Sequence, residues 1–306
     1  MTGLAANTVP VISSSNTVVG IAPGTSGNVL TSNGTSWSSG VGVADGSITT
    51  AKLADSSVTG AKTLLPLFQC RLEYTSTTLL TLNRFGGSWL FINGLNYQIP
   101  SSAPTINVSG ASASQLNYIY AYISGGAVTL EKSTTAYATD STYGHLIKSG
   151  DATRTLVGLA RTTGSTLWAD STTQRFVLSL YHQQHRHLVS GGIAGSTTSG
   201  SYAELSTNNR LEFLVWSNGL IRSNFFGSTA VNSAADVYIA IGLDGTTPIT
   251  GAESQDTQAG ANANIAHSVG GISAPAEGYH YVTLLGKRTA GTLTPGIGRL
   301  FAEIDG

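Results

Sequence analysis

Charge is what this 306-residue chain has least of: Asp, Glu, Lys and Arg make up 10% of it, and the formal net charge is −1. An average soluble domain carries about 25% charged residues. Lys and Arg barely balance the acids, and no basic cluster is longer than Lys287-Arg288. Nothing here attracts a polyanion, which excludes nucleic-acid binding by bulk electrostatics. Cysteine is nearly absent too. The single Cys70 rules out an intrachain disulfide and the multi-cysteine zinc sites, and its apolar surroundings in 64–70 make it a small buried hydrophobe.

Long hydrophobic runs are also missing. Residues 1–12 lack the basic and apolar regions of a secretory signal, and no window approaches the ~18 apolar residues of a membrane span. The expectation is a soluble chain made in the cytoplasm. There is no GxSxG elbow, phosphate-binding loop or HExxH motif. Glycan cleavage needs two carboxylates roughly 5 to 9.5 Å apart, but the sixteen acids are scattered. Glu253/Asp256 and Glu303/Asp305 are the candidate pairs, and no enzymatic activity is expected.

What the chain does have is a repeat. DGSITTAKLA at 45–54 is followed at once by DSSVTGAKTL, with Asp45/Asp55, Ser47/Ser57, Ile48/Val58, Thr49/Thr59, Ala51/Ala61 and Lys52/Lys62 in register. Such a unit has too few apolar side chains to bury a core, so tandem copies imply stacking on one another or on neighbouring chains. Residues 1–44 hold Trp37 as their one aromatic and are rich in Ser, Thr, Asn and Gly. Alone, they cannot offset backbone ordering at ~1 to 2 kcal/mol per residue. Their order must come from a partner.

From about Leu65 the pattern turns to short strands with turn punctuation. NYIYAYI at 117–123 alternates strictly, with Tyr118, Tyr120 and Tyr122 on one face and Ile119, Ala121 and Ile123 on the other. Ser124-Gly125-Gly126 then supplies a turn and 127–130 a return strand. Further strands are predicted at 211–216, 237–243 and 279–286. The predicted fold class is all-β: an extended low-complexity stalk, then two β-sandwich or jelly-roll-like domains. The divisions are 1–44 (extended), 45–64 (shaft), 65–181 (first β domain), 182–190 (His-rich junction) and 191–306 (C-terminal β domain).

The element PGTSGNVLTSNGTSW at 23–37 resembles one that recurs in tail-fibre and related virion proteins of tailed bacteriophages. The GSITxAKLA-type decads are similar to repeats of phage fibre shafts. The segment 117–177, with NYIYAYISGGAVTLEKSTTAYATD at its start, and EGYHYVTLLGK at 277–287 also resemble modules of such proteins. The resemblance implies an intertwined homotrimer in the virion, a trimeric tail fibre or fibre-like receptor-binding protein. The N-terminal segment would meet other virion proteins and the distal β domain a host glycan or protein. A head fibre, decoration protein or baseplate connector is the alternative, and a glycan-degrading tailspike a more distant one.

Half of the six histidines fall in His182-Gln183-Gln184-His185-Arg186-His187. On an extended segment His185 and His187 point to one side, so three chains on a threefold axis could offer six imidazoles to one iron or zinc ion. Some phage fibres and spikes are similar in holding iron through an HxH motif from each chain. The other reading is a solvated linker whose histidines and Arg186 contact acceptors on neighbouring chains. For receptor contacts, 223–227 and 251–263 read as less strand-like, which nominates Asn224, Phe225 and Phe226. Phe213, Trp216 and the strand tyrosines read as core.

Overall fold

Residues 4–13, 16–41 and 68–305 are described in the computed structural model, and the chain divides into two units, Met1–Thr63 and Leu64–Gly306. The 45–64 repeat, expected to form a shaft, lies outside the described residues. In the first unit, β1 (Val9–Ile12) pairs with β2 (Val18–Ile21), and β3 (Asn28–Ser32) with β4 (Trp37–Val41). The 23–37 element is therefore largely the second hairpin, and its polar residues build the turns. Asn33 Oδ1 accepts from the backbone N–H groups of Thr35 (2.9 Å) and Ser36 (2.7 Å), while Gly34 takes φ 88°, a value that suits only a residue without Cβ. Ser39 Oγ ties the hairpin back to the Pro23 carbonyl at 2.5 Å.

The second unit is all-β. Its first half carries β5 (Cys70–Tyr74), β6 (Leu79–Arg84), β7 (Trp89–Ile92), β8 (Leu95–Gln98), β9 (Thr105–Asn107), β10 (Leu116–Ser124), β11 (Ala127–Ser133), β12 (Tyr137–Thr139), β13 (Leu146–Lys148), β14 (Asp151–Arg161), β15 (Gln174–Arg175) and β16 (Val177–Ser179). Two tight turns follow from sequence. Asn93-Gly94 joins β7 to β8 with φ 49° and 82°, and Gly125-Gly126 joins β10 to β11 with φ 56° and 80°. Both central residues have positive φ, the turn whose twist matches a hairpin.

The alternation in β10 divides its side chains between two cores. Ile119 and Ala121 pack with Leu72, Leu82, Val128 and Val157, whereas Tyr120 packs with Leu156, Leu159, Leu178, Leu214 and Trp216. The sheet β11-β10-β14-β13-β12, with β16 on β14, is thus covered on both faces. Tyr120 is fully buried, and its hydroxyl donates to the Thr135 carbonyl at 2.8 Å. Gly158 marks the tightest approach. A Cβ there would stand 2.5 Å from Leu178 O and 2.6 Å from Leu72 Cδ2, so only glycine fits between the layers.

The second half holds β17 (His185–Val189), β18 (Ala203–Glu204), β19 (Leu211–Val215), β20 (Ile221–Val231), β21 (Ala235–Leu243), β22 (Pro248–Gln258), β23 (Ile265–Ser273), β24 (Gly278–Arg288) and β25 (Leu293–Asp305). One sheet runs β17-β25-β20-β23 and the other β19-β24-β21-β22, with β15 added beside β19 and β18 on β24. Setting aside β15 and β18, this is the two-sheet, eight-strand order of a jelly roll. Leu188, Phe213, Phe225, Val237, Ile239, Leu284 and Leu300 are among the residues that fill the space between the sheets.

The two halves are knitted together. Besides the Tyr120 cluster, Gln174 and Arg175 of β15 pair in parallel with Glu212 and Phe213 of β19. Trp216 Nε1 donates to Ser179 O at 3.1 Å, Tyr137 Oη to Glu277 Oε2 at 2.6 Å, and the Arg161 guanidinium sits 3.7 Å from the centroid of Tyr279.

Candidate functional site

The site is built on the outer face of the β17-β25-β20-β23 sheet. Alternation along β17 sends Leu188 into the core and turns His185 and His187 outward. Arg186, on the opposite side from the histidines, reaches Asp170 of its own chain at 3.0 Å, and Arg175 meets the same carboxylate at 3.2 Å. Two guanidiniums around one nearly buried carboxylate fix the start of β17, so 185–189 is a sheet strand and not a solvated linker. His182 belongs elsewhere: with φ 54° it packs on Phe85 and its Nε2 lies 3.2 Å from Phe68 O.

Register then brings in a residue considered earlier only as part of a catalytic pair. His187 stands opposite Glu303 on β25, and His185 opposite Asp305. Glu303 lies 3.6 Å from His187 Nδ1 and 3.7 Å from His185 Nε2. The two imidazoles are 4.9 Å apart at 80°. Their candidate ligand atoms, with one Glu303 oxygen, all lie within 4.8 Å of one another. The i, i+2 spacing was legible; the cross-strand Glu303 was not, because register depends on closure of the whole sheet.

The nominated receptor residues require correction. Segment 223–227 is the middle of the eleven-residue strand β20. Phe225 is fully buried between the sheets and touches nothing outside the molecule. It looked loop-like because of Gly227, whose real role is close packing: a Cβ there would meet Gly298 Cα at 2.8 Å and the Phe225 ring at 2.5 Å. Phe226 does face outward, 55% exposed, with Phe301 beside it on β25 at 6.3 Å between ring centroids. Asn224 is half-buried opposite Phe301. Ile272, 63% exposed on β23, extends this apolar surface past Arg222, its pairing neighbour.

The 251–263 loop reading holds only for 259–263, since β22 continues to Gln258 and β23 begins at Ile265. Glu253 and Asp256 therefore project to opposite faces: Glu253 accepts from Tyr202 Oη at 3.0 Å, and Asp256 lies 3.6 Å from His267 Nδ1. Phe213 and Trp216 are buried as the alternation implied. Cys70 is buried, and burial pushes its thiol up to about 12, a value that leaves almost no thiolate at neutral pH.

No family model and no curated protein matches the chain. Among solved structures, infectious bursal disease virus Gx strain is similar at 11% identity, covering 78% of this chain and 67% of that one, with a TM-score of 0.26. The T13 particle of the same virus gives 8% identity, 78% and 66% coverage and a TM-score of 0.28. The insecticidal delta-endotoxin Cry8Ea1 from Bacillus thuringiensis gives 8%, 77% and 51%, with 0.25. Likeness this distant carries no argument about what the chain does.

Proposed function

We propose that the chain is a non-enzymatic structural protein of a bacteriophage particle, a homotrimeric tail fibre or fibre-like receptor-binding protein. The observation that carries this reading is the state of the first unit. Among its described residues none is buried, and Leu4, Val9, Ile12, Val18, Val19, Val29, Leu30 and Trp37 are all exposed, Ile12 at 73% and Trp37 at 52%. A two-stranded hairpin is marginal at best in water, while burying one such side chain contributes about 1.5–3 kcal/mol. Copies of the same chain supply that burial on every hairpin at once.

The resemblance of 23–37 and of the 45–64 decads to phage fibre elements supports the fibre among self-associating proteins, with the N-terminal segment on other virion proteins and the jelly roll projecting toward a host glycan or protein. Phe226, Phe301 and half-buried Asn224 combine flat apolar rings with an amide, the chemistry that grips sugars and peptides. Three such faces per fibre would slow detachment through avidity. Two measurements test the reading. Light scattering on the intact chain should give three chains per particle, and a monomer would end it. Antibody against the jelly roll should decorate tail tips; capsid decoration would select the head-fibre alternative instead.

A further inference from the structure

We propose that His185, His187 and Glu303 form a zinc site within one chain, with a single ion bridging β17 and β25. This differs from an axial ion shared by three chains. It needs no symmetry, because one sheet face already supplies three ligands of the right kind.

The geometry favours it on three counts. Residues two apart on a strand share a face, and the cross-strand partner of His187 is Glu303, so backbone register alone converges two imidazoles and a carboxylate. Tetrahedral zinc with bonds of ~2.0–2.1 Å needs ligand atoms about 3.3 Å apart. The histidine nitrogens already stand 3.6 and 3.7 Å from Glu303 oxygens, and the whole set lies within 4.8 Å. Small side-chain rotations close the remainder, and all three groups are solvent-accessible enough to make them.

The ligand set also selects the ion. Two nitrogens and a carboxylate are a recurrent zinc combination, and at a given N/O site zinc binds more tightly than ferrous iron. A fourth position stays open to water or to a ligand from another molecule. Because β17 is an edge strand whose sheet neighbour is β25, an ion across the two would fasten the first jelly-roll strand to the last.

The test is a zinc titration of the intact, tag-free, chelator-stripped protein followed by calorimetry of binding. About one zinc per chain is expected. Glu303→Gln should weaken binding by about tenfold or more, and His187→Ala should do at least as much. His182→Ala, which alters the nearby histidine outside the cluster, should leave binding unchanged. The side chains altered in β17 and β25 point outward, so circular dichroism should show both variants folded. No zinc uptake, one ion per three chains, or equal affinity in Glu303→Gln would each overturn the proposal. The one-per-three result would instead favour an axial site. The ratio is counted per chain, so the proposal stands or falls independently of the trimer.

Discussion

His267 on β23 is almost fully buried, its Nε2 2.7 Å from Thr229 Oγ1 of β20 and its Nδ1 3.2 Å from Ser254 Oγ of β22. Burial holds its pKa below the ordinary 6.5, against a smaller opposing pull from Asp256. The unfolded chain then takes up the proton more readily than the folded one. The neutral ring's contribution to stability is therefore complete above about pH 6.5 and is lost as pH falls below that. Thermal unfolding of the intact chain should move to lower temperature between about pH 7 and pH 5. His267→Gln should make that fall shallower. His145, depressed by burial in the same direction, keeps it from vanishing, and an unchanged slope in the variant would remove His267 from the account. At this scale the sequence was informative about His185 and His187, whose spacing is local. It was silent about His267, whose polar partners come from two other strands.

Strand β20 shows what alternation can and cannot reveal. Phe225 and Phe226 are neighbours with opposite fates, one at 0% and one at 55% exposure. Phe225→Ala should cost about 3–5 kcal/mol of stability through the cavity it leaves. Phe226→Ala should stay within about 0.5 kcal/mol; on the proposed fibre reading it should also weaken attachment of particles to host cells. Equal destabilisation by both, read from denaturant unfolding, would contradict the in-and-out assignment. The strands legible in advance, β10, β11, β19, β21 and β24, are those in which apolar residues dominate one or both faces. β20 and β22 were hidden because Ser, Asn, Gly and Gln are interspersed among their apolar residues, at buried positions such as Ser223 and Gln258 as well as outward ones. Those residues favour turns in isolation but are held in strands by neighbours far away in sequence. Glu303 was obscured for the same reason, lying on β25, more than a hundred residues beyond the histidines it faces.

For the molecule as a whole, the all-β class and the jelly-roll-like C-terminal part were legible from turn spacing and alternation. The tightness of the join between the two halves of the second unit was not. Tyr120, Leu156, Leu159 and Leu178 from one half and Leu214 and Trp216 from the other form one cluster. Loss of the Trp216 ring should destabilise both halves together. Calorimetry of Trp216→Ala should show a single transition for residues 68–305 shifted to lower temperature, and two separated transitions in the parent protein would show the cluster to be too weak to couple them.

The parallel pairing of β15 with β19 carries this further. Residues 174–175 precede β17 in the chain, yet they complete a sheet of the jelly roll from outside it. A chimera spliced near residue 184 would give a foreign jelly roll the wrong edge strand and leave Asp170 without Arg186. Exchange of the jelly roll between related chains would therefore have to carry the whole segment from about residue 68 onward as one cassette.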